Sequence, residues 1–262
     1  MIRKKIIVAL AAAFTGLITL SSCQTGYDET AWLELFPLAQ GEELAVLHTN
    51  YGKITLRFFP EKAPMAVENF VTHAKNGYYD GVVFHRVIDG FMIQGGDPKG
   101  DGTGGESIWG GSFGYEFDYS LRHYRGALAM AHSELPASNG SQFYIVQNKG
   151  LHPNVIQTLN DLKKRQDEPF TEVDGKTVYI SDLMPPEAAD AYKAGGTPHL
   201  DIWYKTYTGE DPNSAHTVFG HVVRGMKVVD AIAAVEVVDA SRQNYKPAKE
   251  VVIKKITFET AR

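Results

Sequence analysis

The chain has 262 residues, and 26 Lys and Arg against 31 Asp and Glu give a formal net charge of −5, a balance that excludes a broad nucleic-acid-binding face, which needs a basic stripe to meet phosphates. With 44% hydrophobic and 22% charged residues the composition is that of a globular protein with a sizeable core, not a disordered or fibrous chain. The single cysteine excludes an intramolecular disulfide and a Cys-based zinc cluster.

Arg3, Lys4 and Lys5 open the chain, and an apolar run of 15 residues from Ile6 to Leu20 follows, broken by Thr15, Gly16 and Thr19. This is the build of a secretory signal, too short to span a bilayer comfortably. Leu20-Ser21-Ser22-Cys23 resembles a bacterial lipoprotein lipobox, which implies cleavage before Cys23 and lipidation of its thiol. The plainer alternative is an ordinary secretory signal with an incidental cysteine. Acyl chains worth about 0.8 kcal/mol per buried CH₂ would hold the protein at a membrane. Residues 1–22 are therefore read as a signal peptide, 23–42 as a lipidated tether and 43–259 as the folded domain. Cleavage leaves 23 basic and 31 acidic side chains, a formal charge of −8. Gln24 stands where an Asp often retains such lipoproteins at the inner membrane, so the expected location is the bacterial envelope, at the outer membrane facing the periplasm. Trp32, Leu33, Leu35 and Phe36 give the tether some apolar surface to pack.

Leu44–Thr49 and Lys53–Phe59 flank Asn50-Tyr51-Gly52, and Ile54, Leu56 and Phe58 alternate with Lys53, Thr55 and Arg57, which predicts a hairpin with a half-buried second strand. Pro64 suits a first helical turn, Val67, Phe70, Val71 and Ala74 keep helical spacing, and Asn76-Gly77 makes a stop. Short strands are predicted at Val82–Val87, Phe91–Gln94, Gly126–Met130, Gln142–Gln147, Val218–Val223 and Val251–Phe258, with a second helix at Gly225–Val235. Such a series makes a mainly β barrel. The stretch 151–215 reads differently: a helix at Val155–Arg165, a hairpin about Asp174-Gly175 within Phe170–Ile180, and a short helix at Glu187–Ala194 closed by Gly195-Gly196. It is taken as an α/β segment inserted in the domain.

The segments richest in chemistry are Phe84-His85-Arg86-Val87-Ile88-Asp89-Gly90-Phe91-Met92-Ile93-Gln94-Gly95-Gly96-Asp97, then Gly102-Thr103-Gly104-Gly105, Asn139-Gly140-Ser141-Gln142-Phe143-Tyr144-Ile145 and His216-Thr217-Val218-Phe219-Gly220. In this order they resemble the cyclophilin family of peptidyl-prolyl isomerases, over about 43–150 and 198–259. The resemblance implies a closed eight-stranded antiparallel β-barrel capped by two helices, acting on X–Pro segments of client proteins without cofactor or metal.

The chemistry such an enzyme would need can be set beside these residues. An X–Pro bond prefers trans only slightly but crosses a barrier of roughly 18–20 kcal/mol set by amide resonance. A catalyst needs an apolar pocket for proline and a fixed donor for the prolyl nitrogen once its lone pair leaves conjugation. The sequence offers that kit: Arg86 would be the permanently charged donor, Phe91, Met92 and Leu200 would be apolar walls, and Gln94 and Gln142 would hold the substrate backbone. Strand alternation puts Met92 with Gln94, and Gln142 with Tyr144, on shared faces, with Phe143 and Ile145 turned into the barrel. Phe91 lines the pocket only if the chain bends or bulges there. Small residues at Ala129 and Ala131 let a peptide approach. By resemblance, Arg86, Phe91 and Gln94 are catalytic, and Met92, Ala131, His132, Gln142, Tyr144, His199, Leu200 and His216 bind substrate. Three positions depart from the family: Tyr144 stands for the usual Phe and makes the pocket more polar unless its hydroxyl finds a partner; His199 stands for a frequent Trp, which would weaken binding of cyclic peptides such as cyclosporin; His132 stands for a common Asn.

Other motifs point elsewhere but fail on context. Gly100–Gly105 fits G-x-G-x-x-G, but Gly-rich and aromatic sequence, not a helix, follows it. Asp97 and Asp101 suggest a calcium loop, yet Lys99 takes a ligand position and Ile108 stands where Glu is needed. His216 and His221 have helical spacing on a predicted strand, so they do not pair on a metal. Asn139-Gly140-Ser141 fits a glycosylation sequon and is read as a turn. The inserted stretch is either surface elaboration or a substrate-selection arm. The rival to an isomerase is a non-catalytic module, a chaperone or scaffold gripping X–Pro segments.

Overall fold

The computed structural model describes residues 37–118, 120–133, 137–173, 175–201, 216–238 and 245–262. Cys23 and the apolar tether residues Trp32 to Phe36 lie outside the described residues, as do Asp174 and residues 202–215 of the inserted stretch. Among the described residues no helix is long and apolar enough to cross a membrane.

β1 (Glu43–Thr49) and β2 (Lys53–Phe58) form the expected hairpin. α1 (Pro64–Lys75) follows, with Pro64 where a missing N–H costs no hydrogen bond. The Glu116 carboxylate accepts from the free Met65 and Ala66 N–H groups at 2.9 and 2.8 Å. Next come β3 (Arg86–Ile88), β4 (Met92–Gly95), β5 (Ala127–Met130) and β6 (Phe143–Val146). The segment after β6 holds α2 (Pro153–Lys163), the hairpin of β7 (Pro169–Val173) and β8 (Lys176–Tyr179), α3 (Ile180–Leu183) and α4 (Pro186–Ala191). The chain ends with β9 (Val218–Arg224), α5 (Met226–Ala233), the short pair β10 (Val237–Val238) and β11 (Lys246–Pro247), and β12 (Ile253–Thr260).

Eight strands make one curled antiparallel sheet in the order β12-β1-β2-β9-β5-β6-β4-β3. Period-two alternation divides its side chains between two cores. Inside the curl, Leu47, Ile54, Leu56, Ile93, Leu128, Phe143, Ile145 and Phe219 bury against Phe70 of α1 and Val229 and Ile232 of α5. Phe70 meets Phe143 edge-on, with ring centroids 5.2 Å apart at 82°. On the outer face Met92, Ala127, Ala129, Tyr144, Val146 and Val218 form a separate cluster.

Three expectations change. The fully closed ladder is not observed: β12 and β3 are the two ends of the strand order. Between them Val83 bridges Val252, and the Phe84 N–H donates to the Val251 carbonyl at 2.8 Å. The predicted strand Val82–Val87 keeps only Arg86 and Val87 in the ladder, because Val83 is taken up by isolated bridges to Val252 and Asp97. The predicted helix over 187–194 stops at Ala191 and tightens into a 3₁₀ turn, Tyr192–Ala194.

Segment 151–201 has a core of its own. Val155, Leu159 and Leu162 of α2 pack with Ile180, Met184, Ala188, Ala189 and Tyr192, and Tyr124 of the main domain is buried among them. The chain then returns along residues 123–125. Tyr124 bridges Gly196, the Thr197 N–H donates to the His123 carbonyl at 2.8 Å, and the Arg125 N–H donates to Gly195 at 3.2 Å. Gly195 and Gly196 hold φ of +117° and +136°, and a Cβ on Gly196 would lie 2.6 Å from the His123 oxygen. The next 3₁₀ turn, Pro198–Asp201, carries His199 and Leu200 to the outer face of the sheet.

Candidate active site

Arg86 on β3 lies directly opposite Gln94 on β4, which lies opposite Tyr144 on β6, which lies opposite Ala129 on β5. The order of strands thus converts three sequence motifs into one row. Arg86 Nη1 donates to Gln94 Oε1 at 3.3 Å and reaches Met92 Sδ at 4.0 Å. Gln94 Nε2 donates to Gln142 Oε1 at 2.9 Å, and Gln142 Nε2 donates to the carbonyls of Gly102 and Gly104 at 3.0 and 2.8 Å. Burial holds the Arg86 guanidinium below its ordinary value, with Tyr245 offsetting that only in part. An arginine so placed keeps its charge.

The glycine-rich loop on which Gln142 is anchored is organised by Asp97. The Asp97 carboxylate accepts the N–H groups of Lys99, Asp101 and Gly102 at 2.8, 3.2 and 2.6 Å. Those donors are the ones a phosphate cradle would need, so the loop is a brace for the glutamine row.

Beside that row lies an apolar floor. Met92 and Tyr144 pack with Phe91, Ala131, Leu200, Ile88 and Leu121. Phe91 shares the face of Met92 because it sits in a turn, its N–H donating to Ile88 at 3.0 Å over Gly90. That is the bend the alternation required. The Phe91 ring lies 5.7 Å from that of His199 at 34°. The Ala131 N–H donates to the Gln142 carbonyl at 3.0 Å, closing the end of β5 onto β6.

Histidines form the remaining wall. His132 and His216 have ring centroids 4.0 Å apart, and His216 stands at 85° to Tyr144, 5.6 Å away. His132 Nδ1 lies 2.7 Å from the Ser133 carbonyl, and Tyr115 covers its ring at 4.9 Å. Burial, with His123 nearby, pushes His199 down to about 4. Burial, with His132 and His123 nearby, pushes His216 down to about 3. Both rings are therefore neutral near neutral pH.

The eleven candidate residues singled out in the sequence thus lie beside one another: Arg86, Phe91, Met92, Gln94, Ala131, His132, Gln142, Tyr144, His199, Leu200 and His216. Sequence reasoning misses two residues. The Tyr144 hydroxyl lies 2.8 Å from His123 Nε2, and His123 Nδ1 lies 2.7 Å from Asp201 Oδ1. The one signal is indirect: a tyrosine hydroxyl on an apolar face requires a partner.

Comparison with known proteins places the chain among its relatives. The family model described as cyclophilin type peptidyl-prolyl cis-trans isomerase/CLD matches residues 44–258. A Staphylococcus aureus (strain COL) protein named "Putative peptidyl-prolyl cis-trans isomerase" is 44% identical over 221 residues, covering 84% of this chain and 93% of the relative. A Staphylococcus haemolyticus protein of the same name is 44% identical over 222 residues, with the same coverage. The crystal structure of a Cryptosporidium parvum cyclophilin type peptidyl-prolyl cis-trans isomerase in the presence of the dipeptide Ala-Pro aligns with a TM-score of 0.56 and 27% identity, covering 83% of this chain and 99% of that one. Another crystal structure of the same parasite protein gives a TM-score of 0.57 at 26% identity, covering 85% of this chain and 99% of that one. Motif order, sheet topology and these relatives agree: the chain belongs to the cyclophilin-type peptidyl-prolyl cis-trans isomerases.

Proposed function

We propose that this protein isomerises X–Pro bonds of client proteins in a bacterial envelope, with Arg86 as the donor that stabilises the twisted amide. The observation that carries this reading is the Arg86–Gln94–Gln142 row running along the edge of an apolar floor of Phe91, Met92, Tyr144 and Leu200. Proline is desolvated against the floor while the polar row holds the peptide backbone. Rotation about the amide leaves the prolyl nitrogen pyramidal and electron-rich, and a pre-aligned guanidinium stabilises that species more than the planar amide on either side. The gain is differential, which is what acceleration requires. Proline-limited folding steps otherwise take tens of seconds. The Cryptosporidium cyclophilin was crystallised in the presence of Ala-Pro, which supports a short X–Pro segment as the unit recognised. His199, set against Phe91, replaces a broader indole surface and weakens drug-like cyclic peptides such as cyclosporin.

The envelope location rests on Leu20-Ser21-Ser22-Cys23, with lipidated Cys23 as the membrane anchor and 23–42 as the tether. Gln24 favours the outer membrane, facing the periplasm.

The test is exchange of an Ala-Pro peptide by the purified full chain and by Arg86→Ala, with circular dichroism to confirm that both fold. Turnover that falls at least tenfold in the variant supports the enzyme reading. A folded wild type that binds the peptide without turnover makes the protein a Pro-peptide-binding chaperone instead. Incorporation of labelled fatty acid into wild type but not Cys23→Ser tests the anchor.

A further inference from the structure

We infer that His123 and Asp201 are positioning residues of the proline pocket, and that through them segment 151–201 is part of the pocket's construction. The inference rests on the isomerase reading above and adds residues that make no contact with substrate.

Three buried polar groups form a chain behind the pocket. Tyr144 OH, His123 Nε2, His123 Nδ1 and Asp201 Oδ1 are linked at 2.8 and 2.7 Å, and the His123 and Asp201 side chains are 1% and 0% exposed. The other Asp201 oxygen accepts the His123 backbone N–H at 3.0 Å. The His123 backbone N–H can only donate to one Asp201 oxygen, and a ring proton on Nδ1 faces the other, which leaves Nε2 to accept from the Tyr144 hydroxyl. Burial, with the charge of Asp201 adding to it, pushes the Tyr144 phenol well above its ordinary value, so the hydroxyl keeps its proton. Every member has one role and one orientation. The His123 and Tyr144 ring planes lie 13° apart, with centroids at 6.0 Å.

Tyr144 sits between Gln94 and Ala129 across the ladder, at the centre of the floor. A phenylalanine there is held by packing alone. A tyrosine must turn its hydroxyl somewhere, and an unpartnered hydroxyl facing the floor disfavours proline. The chain through His123 draws that oxygen out of the pocket. Asp201 comes from the far end of segment 151–201, delivered by the pairing of Gly195–Thr197 with His123–Arg125. The segment therefore fixes the orientation of a ring on β6, and displacing it releases that ring.

The full chain is tested with ring-¹⁵N histidine and with Asp201→Asn, Tyr144→Phe and the double variant. Asp201→Asn is nearly isosteric, but its amide puts a donor against a donor. In the wild type, long-range ¹H–¹⁵N spectra are expected to show His123 as the Nδ1–H tautomer, the minority form of a free imidazole. Asp201→Asn should abolish that signature and raise KM for an X–Pro peptide at least fivefold, with kcat changed less than twofold. Added to Tyr144→Phe, the same substitution should change KM less than twofold, because the hydroxyl it acts through is gone. An Nε2–H tautomer in the wild type overturns the inference, and so does an equal KM change in both backgrounds, as a purely structural role would give. If Asp201→Asn does not fold, the Tyr144→Phe spectrum decides, and an unmoved His123 Nε2 resonance overturns the inference. A folded wild type without turnover defeats the isomerase reading alone; the tautomer and the same comparison on peptide Kd then test the positioning chain.

Discussion

Arg86 and Gln94 are direct partners across the β3–β4 ladder, and the guanidinium of one donates to the amide oxygen of the other at 3.3 Å. The glutamine thereby commits its acceptor to the arginine and its donor to Gln142. Substitution of Arg86 by Ala is expected to lower kcat/KM at least tenfold with the fold intact, because the side chain is half-buried on an end strand of the sheet. Arg86→Lys should fall between the two, since it keeps the charge but loses the planar fork. Peptide exchange measured beside thermal unfolding separates the two effects.

Gln142 joins the row to the loop at Gly102 and Gly104. Gln142→Ala should leave Gln94 without its acceptor and free two loop carbonyls. We expect a loss of about 1 kcal/mol in stability, a drop of several-fold in kcat/KM, and faster amide hydrogen exchange at 100–105. Unchanged exchange in that loop would show that Asp97 alone holds it.

Three histidines, His221 buried and His199 and His216 half-buried, set an acid limit. His199 is lowered to about 4, and His216 and His221 to about 3, burial being the main cause in each. Above about pH 6.5 these residues are neutral folded and unfolded and contribute nothing to pH dependence. Between about 6.5 and 4 the unfolded chain takes up protons that the folded one refuses, so stability falls as pH falls. The urea midpoint should be flat from pH 7 to 8 and decline steadily below 6.5. A midpoint that rises on acidification would contradict this.

Gly196→Ala introduces a Cβ 2.6 Å from a backbone oxygen at a φ of +136°. Neither the clash nor the strain can be relieved by a side-chain rotation. A loss of about 2 kcal/mol or more is expected, with residues 151–201 becoming the first site of limited proteolysis.

The alternating strands are the readable part of this fold. Phe143 and Tyr144 are neighbours in sequence, and the period of two alone assigns one to the inner core and the other to the pocket. The grouping of the candidate site is readable because most of it lies in motifs on and beside β4 and β6. The relay is not, because Asp201 and His123 stand 78 residues apart and meet only after segment 151–201 has packed. The open ends of the ladder are hidden too. A strand pattern at Val82–Val87 records burial, whereas the ladder is broken by Val83's bridge to Asp97. The two-residue strands β10 and β11 are too short to carry any periodicity.

β1 pairs on one side with β2 and on the other with β12, where His48 meets Thr257 across 209 residues of chain. On a ribosome adding about 5–20 residues per second, the first strand waits on the order of 10–40 s for the last. Throughout that wait it offers an unsatisfied edge to any other extended chain nearby. The sheet is thus unfinished until β12 has been made, and β1 must be shielded from self-association until then.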